Sequence, residues 1–211
     1  MIFRLDDRLV FPDPELAESD GLLAVGGDLS VDRLLLAYQH GIFPWYSDDT
    51  PILWYSPHER FVLYPSQIKI SKSMRQVMRS GRFAITKNKA FEQVIEACST
   101  APREGQDGTW ITDDMQQAYI NLHQSGYAHS YEVWHEGNLA GGLYGIHAGK
   151  VFCGESMFSR VSNASKAALI FLCQQEQYQL IDCQMHTEHL ESMGGRFISR
   201  ADYLDILQSG A

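Results

Sequence analysis

Residues 139–184 contain the stretch that decides the fold: LAGGLYGIHAGKVFCGESMFS at 139–159, NASKAALIFLCQQE at 163–176 and LIDCQ at 180–184. The first part predicts a hairpin, with strands over 139–146 and 151–155 and a turn over 147–150 that contains Gly149. Asn163 is a candidate N-cap for a helix that is apolar on nearly all sides and therefore buried. The last part predicts a short buried strand. Strand, helix and strand with short connections form a βαβ unit, whose two strands are parallel.

Three polar residues stand where the two predicted parallel strands end. Glu155 closes the first strand, and Asp182 and Gln184 close the second. Ligands of such sheets bind beyond the carboxyl ends of the strands, so we predict that the chemistry lies here. Asp182 and Gln184 are two residues apart and should share one face of the strand, with Cys183 on the other. The alternative for this polar pair is a hydrogen-bonded structural anchor.

The composition is typical of a soluble globular protein. The chain has 211 residues, of which 45% are hydrophobic and 20% are charged. No apolar run approaches the roughly 18 residues of a membrane span, and the first residues, MIFRLDDRLV, lack the apolar core of a signal peptide. The four cysteines show no CxxC spacing and lie mostly in apolar runs. We therefore expect buried thiols in a reducing cytoplasm rather than disulfides or metal ligands.

The distribution of prolines divides the chain into two parts. Six of the seven prolines fall between Pro12 and Pro65, in a segment whose one clear helix begins after Ser30 and ends at Gly41. We predict a small N-terminal α/β domain over residues 1–64. Residues 65–211 are predicted to form a mixed-sheet domain of the α+β class, with the βαβ unit at its centre and helices over about 90–99, 112–126 and 200–207.

Basic residues are concentrated in one segment of an acidic chain. The formal net charge is −9, yet residues 69–89 contain seven basic residues and no acidic one. Ser71 is a candidate N-cap, and four basic residues after it follow the spacing of a single helix face: Lys72, Arg75, Arg79 and Arg82. A solvated helix usually mixes charges of both signs, so this pattern favours a phosphate-binding face.

A mixed sheet that is entered by a hairpin and has a central βαβ unit resembles the GNAT acyltransferase architecture. Those enzymes carry a glycine-rich phosphate loop, Q/R-x-x-G-x-G/A, before the helix of the unit. Here that position reads FSRVSNASKAA at 158–168 and contains no glycine. Coenzyme A is therefore disfavoured as a donor, because its pyrophosphate needs close backbone approach at a helix N-terminus. No cofactor and no metal is expected.

Eight motifs, in this order along the chain, resemble the leucyl/phenylalanyl-tRNA–protein transferase family: GLLAVGGDLS (21–30), GIFPWYS (41–47), GTWIT (108–112), AHSYEVW (128–134), GGLYGI (141–146), FCGESMFS (152–159), NASK (163–166) and LIDCQ (180–184). The resemblance runs from about Gly21 to Leu204. It implies a GNAT-like C-terminal domain that uses aminoacyl-tRNA as the donor. The implied reaction transfers Leu or Phe to proteins with N-terminal Arg or Lys, in the bacterial N-degron pathway.

The resemblance also implies where the donor binds. Trp45 and Trp110 match positions that stack on the 3′-terminal adenosine, and Tyr38 and Tyr119 lie nearby in the same motifs and are assigned to the substrate site. The aminoacyl side chain is implied to enter an apolar pocket formed by Leu143, Phe152, Leu169 and Ile181, although by pattern alone each is equally a core residue. The basic helix face occupies the place of the family's tRNA-binding patch.

In the implied catalytic step, Asp182 polarises Gln184, whose carbonyl oxygen accepts a proton from the attacking α-amine. A neutral amide is a very weak base, so we expect Gln184 to position the amine rather than to deprotonate it. Glu155 is implied to bind the aminoacyl-adenosine end.

Four alternatives compete with this interpretation. Cys153 or Cys183 could be a nucleophile, although neither has an evident basic partner. His186 and His189 are three residues apart and could bind a metal, but no third ligand is apparent. A tRNA-binding module without catalysis would need the basic helix and the tryptophans but not the polar strand ends. A small-molecule acetyltransferase would need the missing phosphate loop.

Overall fold

A computed structural model describes residues 2–101, 111–175 and 177–210. The N-terminal part forms a four-stranded sheet in the order β1-β2-β4-β3, in which β1 is parallel to β2 and the other neighbours are antiparallel. Its elements are β1 (Phe3–Leu5), β2 (Leu22–Gly26), α1 (Val31–Gln39), β3 (Phe43–Pro44) and β4 (Leu53–Tyr55). The predicted cap of α1 is confirmed, because the Ser30 hydroxyl accepts a hydrogen bond from the Arg33 N–H.

The rest of the chain builds a seven-stranded sheet in the order β11-β5-β10-β9-β8-β7-β6, covered by helices. Its elements are β5 (Glu59–Leu63), α2 (Lys72–Arg79), β6 (Ala84–Lys87), α3 (Phe91–Ser99), α4 (Asp113–Gln124), β7 (Ala128–His135), β8 (Asn138–Ala148), β9 (Val151–Ser159), α5 (Ala164–Cys173), β10 (Leu180–Gln184), α6 (Glu188–Ser192), β11 (Arg196–Ser199) and α7 (Arg200–Gln208). No helix formed by these described residues is long and apolar enough to cross a bilayer.

The predicted hairpin and βαβ unit are confirmed. β8 and β9 are antiparallel and longer than expected, while β9 and β10 are directly paired and parallel, with α5 as the crossover. The expected capping of α5 by the Asn163 side chain is wrong. Asn163 instead has a left-handed backbone, with φ of 73°, and its side chain makes no capping hydrogen bond. An α+β fold with a mixed central sheet is therefore established.

The division of the chain after residue 64 stays a prediction. The small sheet uses residues up to Tyr55, whereas β5 pairs with β10 and β11 in the large sheet although it precedes the predicted boundary. Helix α1 of the N-terminal part contacts β8 and α4, so the two sheets share part of one apolar core.

Two bulges separate β9 from β10 at the carboxyl end of the parallel pair. On β9, Tyr144 is opposite Ser156 and Gly145 is opposite Gly154, which leaves Glu155 as the extra residue. Only glycine fits at position 145, because a Cβ atom there would lie 2.2 Å from the Cys153 carbonyl oxygen. On β10, Cys183 is the extra residue in the pairing with β5. The parallel pairing of β10 with β9 ends at Asp182, which lies opposite Cys153. The two strands part beyond this point.

Candidate active site

A cavity of about 320 Å³ lies where β9 and β10 part, bounded by β8, α5 and the start of α6. This volume is in the range of small-molecule sites. The four side chains predicted to form an apolar pocket all line it and are at most 3% exposed: Leu143, Phe152, Leu169 and Ile181. Glu155 and Asp182 also line the cavity. The structure therefore brings the predicted apolar residues and the predicted carboxylates into one space.

Glu155 is a buried carboxyl group that accepts three hydrogen bonds. Its Oε1 accepts from the Tyr38 hydroxyl at 2.7 Å and from Gln184 Nε2 at 2.9 Å, and its Oε2 accepts from the Tyr119 hydroxyl at 3.0 Å. The prediction placed Glu155 at a strand end, but β9 continues to Ser159 and Glu155 is its bulged residue. The bulge explains how this side chain reaches helices α1 and α4, which carry the two tyrosines.

Burial raises the pKa of Glu155 to about 7, against the opposing effect of its hydrogen bonds from Tyr38, Tyr119 and Gln184. The two phenols are buried as well, and burial followed by the Glu155 charge raises the pKa of each well above its ordinary value. Both tyrosines therefore keep their protons at neutral pH, whereas Glu155 titrates there.

Asp182 is fully buried and forms an ion pair with Arg60, a residue that the sequence analysis missed. The Arg60 guanidinium also donates to the Gly41 carbonyl at 2.9 Å and lies 4.9 Å and 4.5 Å from the ring centres of Phe43 and Tyr203. The available signal was an arginine directly before the apolar residues Phe61, Val62 and Leu63 of β5, because a charge in a buried strand needs a partner.

Asp182 contacts Gln184 through the backbone and not through the side-chain amide group, and the predicted polarisation of Gln184 stays a prediction. Asp182 Oδ1 accepts a hydrogen bond from the Gln184 backbone N–H at 2.9 Å, while the side-chain amide of Gln184 bonds to Glu155. The bulge is the cause, because it gives Gln184 a left-handed backbone with φ of 58° and turns its side chain toward β9. With Nε2 donating to Glu155, the amide presents its oxygen as an acceptor.

The expectation that Cys183 faces away from the site is also wrong, because this bulged residue lines the cavity. Cys153 does point away and contacts the Tyr203 hydroxyl at 3.6 Å. Burial raises the pKa of both thiols, so both stay protonated and are poor nucleophiles.

The predicted adenosine-binding aromatics divide into three cases. Trp45 is 38% exposed, and its ring centre is 5.7 Å from that of Tyr55. Trp110 lies outside the described residues. Tyr38 and Tyr119 are 2% and 0% exposed, so their rings offer no face to a base, and their hydroxyl groups bind Glu155 instead.

A basic face with Lys72, Arg75 and Arg79 forms on α2, which begins at the Ser71 cap. The prediction is wrong for Arg82, because α2 ends at Arg79 and Arg82 lies beyond the helix. All four predicted cationic side chains are exposed, and within the described ranges none of them forms an ion pair: Lys72, Arg75, Arg79 and Arg82. The two histidines considered as metal ligands have other surroundings. His186 bonds to Glu191 at 2.8 Å, and His189 lines the cavity. Among the described residues, no three metal-binding side chains come together.

Two family models match the chain. Residues 62–208 match leucyl/phenylalanyl-tRNA protein transferase, and residues 27–58 match the N-terminal domain of the same family. A relative from Syntrophobacter fumaroxidans named leucyl/phenylalanyl-tRNA–protein transferase is 56% identical over 209 residues, which cover 98% of this chain and 89% of the relative. A relative of the same name from Flavobacterium johnsoniae is 52% identical over 211 residues, covering 99% and 100%.

Similar solved structures include two of acetyltransferase type. A GCN5-related N-acetyltransferase from Kribbella flavida matches with a TM-score of 0.37 and 8% identity, over 76% of this chain and 58% of that one. A GCN5-related N-acetyltransferase-like protein from Streptococcus suis matches with a TM-score of 0.35 and 15% identity, over 67% and 60%. Likeness at this level says nothing about function.

Proposed function

This chain belongs to the leucyl/phenylalanyl-tRNA protein transferase family, and we propose that it moves Leu or Phe from aminoacyl-tRNA to the α-amine of proteins that begin with Arg or Lys. The observation that carries the proposal is the contact between Gln184 and Glu155 at an apolar cavity of about 320 Å³. An apolar space beside an oriented amide suits an ester whose acyl group is Leu or Phe.

The aminoacyl side chain enters the cavity between Leu143, Phe152, Leu169 and Ile181, and its burial supplies the binding free energy. The ester carbonyl then lies near Glu155 and Gln184. Trp45, and Trp110 by family resemblance, hold the terminal adenosine by stacking. The basic face of α2 contacts the tRNA backbone, which makes donor binding dependent on salt.

The reaction forms one C–N bond and breaks one C–O bond. The lone pair of the α-amine attacks the ester carbonyl carbon, and the tetrahedral intermediate expels the ribose oxygen of the tRNA. One proton leaves the nitrogen and one arrives on the ribose oxygen, so atoms and charges balance without an outside reactant. The Gln184 oxygen accepts an N–H hydrogen bond from the amine and so directs its lone pair at the carbonyl. Glu155, with a pKa of about 7, is the neighbouring group that can hold the proton.

Asp182 is a positioning residue in this account. It holds the Gln184 backbone, while its charge is compensated by Arg60. Tyr38 and Tyr119 likewise position Glu155. The N-terminal part, which we place at residues 1–64, supplies Tyr38 and Trp45 to the site. We place the reaction in the cytoplasm, where aminoacyl-tRNA is made.

Transfer of radiolabelled Leu from Leu-tRNA tests the function, with one acceptor protein that begins with Arg and a matched one that begins with Ala. Label on the Arg protein alone is the expected result. Absence of label on both, with tRNA binding intact, would instead support a binding module without catalysis. Absence of both label and binding would make acetyl-CoA the next donor to test.

A further inference from the structure

A second cavity, of about 280 Å³, lies between the start of α2, helix α5 and the end of α6. Its rim carries two lysines and two serines, Lys69, Lys166, Ser71 and Ser192, and buried side chains such as Met74 and Ile170 form its floor. This cavity shares no lining residue with the cavity that contains Glu155.

The ammonium groups are the polar groups of this cavity that remain available to a ligand. The Ser71 hydroxyl accepts the Met74 N–H at 3.1 Å, and the Ser192 hydroxyl donates to the His189 carbonyl at 2.6 Å. Neither lysine forms an ion pair with any carboxylate in the part of the chain that the structure describes. Two cations around one cavity repel each other unless an anion lies between them.

The cavity is continuous with the basic face of α2 on one side. Ser71 caps α2, and Lys72 follows it directly. Lys69 is fixed next to the end of α6, because its N–H donates to the Met193 carbonyl at 2.8 Å. A polyanion that is bound along α2 and extends beyond the N-terminal end of this helix therefore contacts Lys69.

On the other side, the cavity adjoins the active site. Lys166 precedes Leu169 by three residues on α5, about 4.5 Å along the helix axis, and Leu169 lines the aminoacyl cavity. Burial and the charge of Lys166 lower the pKa of His189, which lines the same aminoacyl cavity. Lys166 thus lies between the basic helix and the reaction site.

We propose that Lys69 and Lys166 together bind one backbone phosphate of the aminoacylated strand of tRNA and so guide that strand from α2 to the active site. This inference rests on the proposed function for the identity of the polyanion. Ammonium groups bind phosphate as point charges, without base preference. The contact therefore serves every donor tRNA equally, and it assigns a binding role to the lysine of the NASK motif.

Two donors separate this role from a structural one: Phe-tRNA, and 3′-O-phenylalanyl-adenosine, which has no phosphate. Lys166→Gln and Lys69→Gln keep most of each side chain and remove its charge. With Phe-tRNA, we expect each variant to raise KM about five- to tenfold and to lower the slope of log KM against log salt by about one, with kcat unchanged. With phenylalanyl-adenosine, no parameter should change, and Lys166→Arg should restore the wild-type KM for Phe-tRNA.

Lys150→Gln is the matched control. Lys150 lies in the turn between β8 and β9, whereas Lys166 lies on α5, which follows the other end of β9 at Ser159. The length of β9, nearly 30 Å of extended strand, separates the two ends. It should behave as wild type with both donors. An unchanged KM for Phe-tRNA in Lys69→Gln and Lys166→Gln, or an equal loss with both donors, would overturn the proposal.

Direct binding of uncharged tRNA keeps this test separate from the proposed function. If the wild type transfers nothing, the proposed function fails. The salt dependence of tRNA binding by fluorescence anisotropy then decides the role of the lysines. A lower slope in the two variants supports the phosphate contact, and an unchanged slope refutes it.

Discussion

At Glu155, burial opposes ionisation while hydrogen bonds favour it. Tyr38, Tyr119 and Glu155 make three mutual oxygen contacts, including 2.6 Å between the two phenols. Burial outweighs the hydrogen bonds that Glu155 accepts, so its neutral form persists up to a pKa of about 7.

The raised pKa predicts a pH dependence of stability. The folded state favours protonated Glu155, so its contribution is fully present below the ordinary pKa of 4.5 and is lost as pH rises through about 7. The difference between a pKa of 4.5 and one of about 7 corresponds to about 3 kcal/mol. We expect the unfolding free energy of wild type, relative to Glu155→Gln, to fall by about this amount between pH 4.5 and pH 8 in urea titrations. Parallel pH profiles for the two proteins would show that Glu155 is not the titrating group.

Gln184 illustrates which features of a site residue could be predicted from the sequence and which could not. Its chemistry and its strand-end position follow from the LIDCQ motif, but its orientation does not, because a bulge leaves no trace in the alternation of apolar and polar residues. The side-chain contact of Gln184 with Glu155 rather than with Asp182 was therefore not predictable. Arg60 was missed because its partner is 122 residues away in sequence.

At the scale of elements, the parting of β9 and β10 creates the cavity that contains Glu155, and α5 closes it. The βαβ unit was predictable, because α5 is apolar nearly all round and β8 and β9 are long. The small N-terminal sheet was largely not predictable, because β1 and β3 have three and two residues and show no alternation. Tertiary contacts, rather than local pattern, decide such short strands.

The packing of α5 against the cavity predicts how donor choice can be changed. Leu169 is 2% exposed and lines the cavity. Leu169→Phe should fill part of the space and reduce transfer of Phe more than transfer of Leu. We expect kcat/KM for Phe relative to Leu to fall about tenfold, within the ~1–3 kcal/mol typical of such apolar discrimination. The measurement is competition between Leu-tRNA and Phe-tRNA. An unchanged ratio would mean that the aminoacyl side chain binds elsewhere.

At the scale of the whole molecule, both parts of the chain are needed to complete one site. Tyr38 reaches Glu155 from α1, Tyr119 reaches it from α4, and Gln184 reaches it from β10. The charge distribution acts at the same scale, since a chain with a net charge of −9 presents one exposed basic helix face. Such a field orients a polyanion before contact and raises its association rate.

The central claim is that Gln184, oriented by Glu155, positions the attacking amine. Its most direct test is the single-turnover rate of Leu transfer from Leu-tRNA to a peptide that begins with Arg, in Gln184→Ala. Alanine and glutamine bear a similar cost at the left-handed φ of this position, and Gln174→Ala, at an exposed position directly after α5, is the control. We predict a rate about 100-fold lower than wild type at unchanged tRNA affinity, the loss expected when a reacting group is misplaced. A wild-type rate in Gln184→Ala would contradict the account.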